Sequence, residues 1–329
     1  MITIDSVQIF IITHNRSDLI KETIKSLLNQ TAGVKEITVL DNESTDNTEQ
    51  VVKSYADKGV KYVKTFGFLG NFYKAKELAN KKYVMLFHDD DILHPDYLRN
   101  ALKILNTEKN IAALYTRYTE FFNNDSPKYF PKLKKQYHLF KTQKDFAVYM
   151  YFIEVIAYAT AIYRTNLFKK IELEYDKFNK FNDWPFMVKF AEYGEVALFN
   201  DPNAYFVRRH SGQDTWTYTN IPSYEQIVNW DKFFYDIFFA NEDANLRKIY
   251  EEKSAYFMNG KYNAFLPPDA KKDFSLEDLH KLANNKGIKT EFINYEIKSK
   301  LYKNFCKFIS IKSLKSLNPI VELKKSNIL

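Results

Sequence analysis

The sequence predicts an α/β fold: a mostly parallel central sheet flanked by helices, with a helical C-terminal extension. Three observations predict it. Apolar runs of strand length alternate with helix-spaced apolar residues through the first 116 residues. The ends of three of those runs carry polar clusters. From residue 221 onward the pattern turns helical.

The first strand is the near-continuous apolar run Val7 to Thr13, and Ile20, Ile24, Leu27 and Leu28 follow at the spacing of one helix face. Glu36 to Leu40 reads as a second strand. Asp46 with Glu49 reads as a capping box opening a helix, and Gly59 as the residue that closes it. Val60 to Val63 is a third strand, and a loop with Gly67 and Gly70 leads into a helix near Asn71 to Ala79. Tyr83 to Phe87 is a fourth strand, Pro95 starts another helix, and Ile111 to Thr116 is a fifth strand. This βαβαβ order implies parallel strands with helices on both faces, and ligands in such sheets bind beyond the carboxyl ends of the strands. Three clusters stand there: Thr13-His14-Asn15-Arg16, Asp41-Asn42-Glu43-Ser44 and His88-Asp89-Asp90-Asp91. They are expected to converge in space.

Residues 117–144, polar and holding Pro127 and Pro131, read as a long loop near the site. Mixed structure returns over 145–220, with strands at Ala159 to Arg164, Val196 to Phe199 and Tyr205 to Val207 and a helix at Asp183 to Tyr193. Tyr224, Ile227 and Trp230, with Phe234 and Phe238, mark an apolar stripe beyond. The expected organisation is one α/β domain over 1–220, made of the segments 1–116 and 117–220, then a helical region over 221–329 with the tail 297–329.

Composition bounds the function. Apolar residues at 45% support a sizeable core and argue against disorder. No apolar run approaches the ~18–20 residues of a membrane span. The N-terminus lacks the basic and cleavage features of a signal peptide. The single cysteine, Cys306, excludes an internal disulfide framework and a cysteine-based zinc site, so the expected compartment is the cytoplasm. The net charge of +7 resides in residues 297–329, which hold eight lysines and one acid, Glu322. The remaining residues are balanced, which is unlike a nucleic-acid binder.

Three consecutive carboxylates after a buried strand suit a hard divalent cation, which takes oxygen ligands from one or two carboxylates and substrate phosphates. A solvated acidic loop that caps the next helix is the alternative. Asp41 at a strand end could accept hydrogen bonds from a base or ribose, or could simply organise the turn that follows. Asp183 opens a helix, where an aspartate usually caps; ionised there, it could also take a proton from a hydroxyl. His210, beside two arginines, is a surface basic loop or a contact to a metal or diphosphate.

In this order the pieces resemble inverting family 2 glycosyltransferases of the GT-A fold, of the bacterial surface-polysaccharide type. The segments are ITHNRSDLIKETIKSLLNQT, VLDNESTDNT, GFLGNFYKAKELANKKYVMLFHDDDILHPDYL and FNDWPFMVKFAEYGEVALFNDPNAYFVRRHSGQDT. The likeness spans residues 5–217, about two thirds of the chain. Glu43 stands where that family usually has glycine, Asn182 where it has glutamate, and His88 where the first aspartate of its D-x-D-D element falls.

The resemblance implies roles. Thr13, Asn15 and Arg16 would line the nucleotide, Asp41 would bind the base, and Lys74 would approach the diphosphate or base. Asp90 would bind Mn²⁺ or Mg²⁺, with Asp89 near the ribose and Asp91 in support, while Asp89-x-Asp91 also satisfies D-x-D; His210 would assist the metal or diphosphate. Asp183 would be the base, ionised at an ordinary aspartate pKa of about 4. The implied reaction moves a sugar from a nucleoside-diphosphate sugar, a UDP-sugar favoured, to a glycan or lipid-linked glycan hydroxyl in cell-surface polysaccharide synthesis.

Residues 297–321, with six lysines, no acids and interspersed apolar residues, would form a basic amphipathic helix on an anionic membrane surface, or a helix packed on the core. Two other functions compete: a sugar nucleotidyltransferase, which would need a glycine-rich loop where this chain has THNRSDL, and a non-catalytic nucleotide-sugar or glycan-binding module.

Overall fold

The computed structural model describes residues 1–122, 125–129, 136–153, 156–210, 222–251, 276–288 and 323–327. Strand β1 (Val7–Thr13) lies inside the sheet between β2 (Ile37–Asn42) and β4 (Tyr83–His88), with β3 (Val60–Thr65) outside β2. All three contacts are parallel. That position explains the unbroken apolar run, because such a strand is covered on both faces. Ile9 and Ile11 point into one core with helices α1 (Ile20–Leu28) and, further along the chain, Tyr97–Thr107. Phe10 points into the other core.

Beyond β4 the sheet continues through strands at Ile162–Arg164, Ile111–Thr116, Glu195–Phe199, Gln136–Phe140 and Leu323–Asn327. Only Ile162–Arg164 and Gln136–Phe140 run against the rest. The sheet is therefore mostly parallel. Strand order reverses at β1, with β2 on one side and β4 on the other, and the carboxyl edge there is a topological switch point.

Two expectations need correction. Residues 117–144 are more than a loop. Thr119–Phe122 pairs in parallel with Tyr205–Arg209, which also pairs with the two-residue strand Ile92–Leu93, making a second small sheet. Gln136–Phe140 joins the main sheet. Likewise Leu323–Asn327, in the stretch expected to be helical, pairs with Gln136–Phe140 and covers its outer edge. The tail segment 297–321 falls outside the described residues.

The capping box at Asp46 also does not form. Helix α2 is Thr48–Lys53, and Asp46 Oδ1 accepts from the Thr48 amide while Glu49 pairs with Lys53 instead. Gly59 does close this region, at φ 83°, and a Cβ there would sit 2.0 Å from the Lys35 carbonyl oxygen. Gly59→Ala is therefore expected to cost well over the ~1 kcal/mol of a left-handed alanine, because backbone must move. A urea midpoint equal to that of the parent would contradict this.

The helical region is anchored through Tyr224–Phe238, whose Ile227, Trp230, Phe234 and Phe238 are buried as the stripe predicts. Its buried Asp231 accepts hydrogen bonds from Tyr151 and Tyr250, both at 2.5 Å. Among the described residues no helix is long and apolar enough to cross a membrane.

Candidate active site

Register brings the three clusters together. Thr13 lies opposite Asp41, and Ile12 opposite His88, so β1, β2 and β4 end side by side. The loops that follow are knitted to one another. Asn15 is left-handed (φ 52°); its amide donates to Ser44 Oγ and its Oδ1 accepts from the Thr45 amide. The Arg16 amide donates to Thr48 Oγ1, and its Nε lies 3.9 Å from Asp89 Oδ1. His14 Nδ1 lies 2.6 Å from the Asn42 carbonyl oxygen, which only accepts, so Nδ1 carries the proton.

Asp41 is fully buried. Its Oδ1 accepts from the amide and hydroxyl of Ser44, and its Oδ2 from the Tyr62 hydroxyl at 2.8 Å. It braces the β2 turn from below rather than facing the cleft. Lys74, expected near the diphosphate, pairs with Glu77 on its own helix, Gly70–Leu78. Glu43, in the place of a glycine, takes a glycine-like φ of 60°. Its carboxylate accepts from the Gly67 amide at 3.3 Å.

The three acids have different surroundings. Asp91 turns inward: Oδ2 accepts from the Tyr205 hydroxyl at 2.8 Å and Oδ1 from the Arg208 amide at 3.0 Å. Arg208, itself buried, also donates to the Asp90 carbonyl, pairs with Glu22 and stacks over Phe121. Thr23 Oγ1 reaches the carbonyls of Asp89 and Asp91. The small sheet thus serves to hold the triplet. Tyr205→Phe is expected to cost about 2 kcal/mol in a denaturant titration, the usual worth of a bond to a charged group. No loss would mean that Asp91 is neutral or differently held.

Asp90 turns toward the cleft, where its Oδ2 lies 3.0 Å from His210 Nε2. Asp89 contacts the His14 amide at 3.4 Å. Burial, then the charge of Asp90, raise the Asp89 carboxyl to about 7, against the Thr13 hydroxyl, Arg16 and His88. The same two causes raise Asp91 to about 6, opposed by His88, the Arg208 amide and Tyr205. So much negative charge in one buried place calls for a cation.

His88, Asp90 and Asp91 offer ligand atoms that all lie within 4.8 Å of one another. Two carboxylates and an imidazole fit a divalent ion such as Mn²⁺. Because both Asp91 oxygens are already engaged, Asp90 and His88 are the more available donors. His210 would have to give up its Nε2 proton to join them. His88, which sequence alone marked only as a missing aspartate, therefore emerges as a ligand candidate.

Asp183 opens the helix Asp183–Lys189 and lies near enough to His88 to feel its charge. It makes no hydrogen bond or ion pair among the described residues. Its side chain reaches solvent, yet protein crowds it enough that burial raises its carboxyl to about 6, with His88 opposing. A group both open and crowded stands on a cleft wall; the exposure limits the size of the shift and leaves its direction. The ordinary pKa expected from sequence is corrected accordingly.

The mostly parallel α/β sheet, with an acid triplet at its switch-point edge, has a fold of the GT-A type. The chain belongs to the Glycosyl transferase family 2, whose model matches residues 8–172. It is 29% identical over 231 residues to an uncharacterized glycosyltransferase of Rickettsia typhi, covering 69% of this chain and 71% of that one. It is 25% identical over 267 residues to one of Haemophilus influenzae, covering 77% and 74%. Among solved structures, S. aureus TarS residues 1–349 superimposes with a TM-score of 0.53 at 16% identity, covering 78% of this chain and 89% of that one. The same protein in complex with UDP-GlcNAc gives 0.50 at 18%, covering 79% and 81%. Identities this low show the shared fold alone.

Proposed function

We propose that this glycosyltransferase moves a sugar from a UDP-sugar, with inversion, onto a hydroxyl of a glycan or lipid-linked glycan in cell-surface polysaccharide synthesis. The observation that carries the proposal is one edge of the sheet. Asp90 with His88 and His210 stands at its centre, the paired loops of Thr13, Asn15 and Arg16 on the nucleotide side, and the unpaired Asp183 on the other.

A bound Mn²⁺ or Mg²⁺ would neutralise charge on the departing diphosphate. Asp90 and His88 would hold it, with His210 adjoining and Asp91 fixing the loop from behind. Thr13, Asn15 and Arg16 would frame the nucleotide, Asp89 would meet the ribose, and Asp41 would support the base site through Ser44. Lys74 would serve only if it left Glu77. Asp183 would take the acceptor proton from the face opposite the leaving group, which inverts the anomeric centre. The preference for uridine draws on the UDP-GlcNAc complex of TarS, a likeness of fold.

Residues 297–321 would bring the enzyme to the anionic inner face of the cytoplasmic membrane, at about 1 kcal/mol per lysine near the surface. Thermal stabilisation by nucleoside diphosphates with Mn²⁺ tests the donor reading. UDP is expected to raise the melting temperature most, and equal silence from every nucleotide would sink it.

A further inference from the structure

Seven large hydrophobic side chains are exposed among the described residues, and Phe66, Phe68 and Tyr73 fall within eight positions of one another. Phe66 and Phe68 are 68% and 64% exposed. They sit on the short loop joining β3 to the helix Gly70–Leu78, at the same carboxyl edge as the acid triplet.

The loop is built to hold them outward. Gly67 (φ 78°) and Leu69 (φ 59°) are both left-handed, and Leu69 packs on the core while the two phenylalanines flank Gly67 in water. Glu43, itself left-handed, fastens the Gly67 amide. Left-handed leucine and glutamate are strained, and such strain persists where the surroundings enforce it.

The patch continues onto the segment that precedes Asp183. The Phe68 ring meets that of Tyr175 edge-on at 4.6 Å. The residue before Tyr175, Glu174, donates its amide to Asn182 Oδ1 at 2.9 Å, and Asn182 immediately precedes Asp183. Phe72, inside the same helix as Tyr73, packs at 5.6 Å against Phe186 of the helix that Asp183 opens. The exposed Phe68 and half-buried Tyr175 are thus joined, through the Glu174–Asn182 bond and the buried Phe72–Phe186 contact, to the helix that Asp183 opens.

We infer that Phe66, Phe68 and Tyr73, with Tyr175, form an acceptor subsite that stacks on the C–H face of a pyranose ring of the glycan being extended. This rests on the reading of Asp183 as the acceptor-side base. The chemistry of the patch selects this occupant. Flat aromatic rings match the flat apolar face of a sugar. The exposed carboxylates of Glu43 and Asp176 beside them can accept its equatorial hydroxyls, and the Lys64 ammonium over the Phe66 ring can donate to its oxygens. Exposed patches of this kind at a cleft mouth mark ligand grooves.

The test uses the full chain with UDP and Mn²⁺ present and a panel of p-nitrophenyl gluco-, galacto-, manno- and N-acetylglucosaminyl pyranosides as acceptor probes. Binding is read by saturation-transfer NMR titration, independently of turnover. Phe66→Ala/Phe68→Ala is expected to weaken the best glycoside about tenfold, while UDP–Mn²⁺ affinity moves less than twofold. Phe66→Tyr/Phe68→Tyr, which keeps the rings, should bind as the parent does. Tyr193→Ala, an exposed aromatic elsewhere, should change neither. Parent-like glycoside binding by the double alanine variant overturns the inference, as does a parent chain that binds no glycoside. It also falls if the double variant instead loses co-sedimentation with phosphatidylglycerol vesicles, which would make the patch a membrane contact. A wrong donor reading would show separately, as a parent chain that UDP–Mn²⁺ does not stabilise.

Discussion

Asp183→Asn should abolish transfer while leaving the donor site intact. A positioned general base contributes about 10²- to 10⁴-fold, and the amide cannot accept the acceptor proton. UDP–Mn²⁺ binding should stay within twofold of the parent, since no hydrogen bond ties this side chain to the nucleotide half among the described residues. The pH dependence carries its own signature. The active form is the carboxylate, and burial raises the carboxyl to about 6. Turnover in the parent should therefore begin to fall tenfold per unit at a pH above the value of about 4 that an ordinary aspartate would set.

Stability should run the other way. A carboxyl whose folded pKa exceeds its unfolded value favours folding below the unfolded value, and that contribution is lost as pH rises through the folded one. Near neutral pH the asparagine variant should then melt at or above the parent temperature. A variant that keeps its activity, or that melts far lower, would remove Asp183 from the mechanism.

The second large effect belongs to Asp90. Asp90→Ala removes the one acid of the triplet that turns to the cleft, and its partner His210 loses a 3.0 Å contact. Stabilisation of the parent by UDP with Mn²⁺ at a hundred times its dissociation constant should be about 2.7 kcal/mol, and should vanish in the variant. Without ligand the fold should hold, because the carbonyl of Asp90, not its side chain, receives Arg208. Asp91→Ala is expected to behave differently. Its carboxylate is bound to Tyr205 and the Arg208 amide, so stability falls together with binding. If the two variants behave alike, the distinction between cleft-facing and buried acids is wrong.

Much of this was legible in the sequence. Val7–Thr13 is a strand with the bounds its apolar run indicates, because a strand covered on both faces must be apolar throughout. The convergence of the Thr13, Asp41 and His88 clusters follows from the parallel order, and the registers bear it out.

Other features lay beneath what periodicity can resolve. Ile92–Leu93 is two residues long, too short to alternate, yet its pairing with Tyr205–Arg209 holds the triplet in place. The individual roles of Asp89, Asp90 and Asp91 depend on that turn, and three identical letters cannot express it. The saturation of Asp41 depends on Tyr62, which stands 21 residues away on a neighbouring strand. The raised carboxyl of Asp183 reflects crowding by segments distant in sequence, which no local pattern records.

In the proposed mechanism a divalent cation on the Asp90 side and a free base at Asp183 share one sheet edge. Anomalous scattering from crystals of the full chain grown with UDP and Mn²⁺ tests the first half directly. One strong manganese peak is expected within about 2–2.5 Å of an Asp90 carboxylate oxygen, with the diphosphate on its far side. A peak away from the triplet, or UDP bound at this edge with no metal at all, would contradict it.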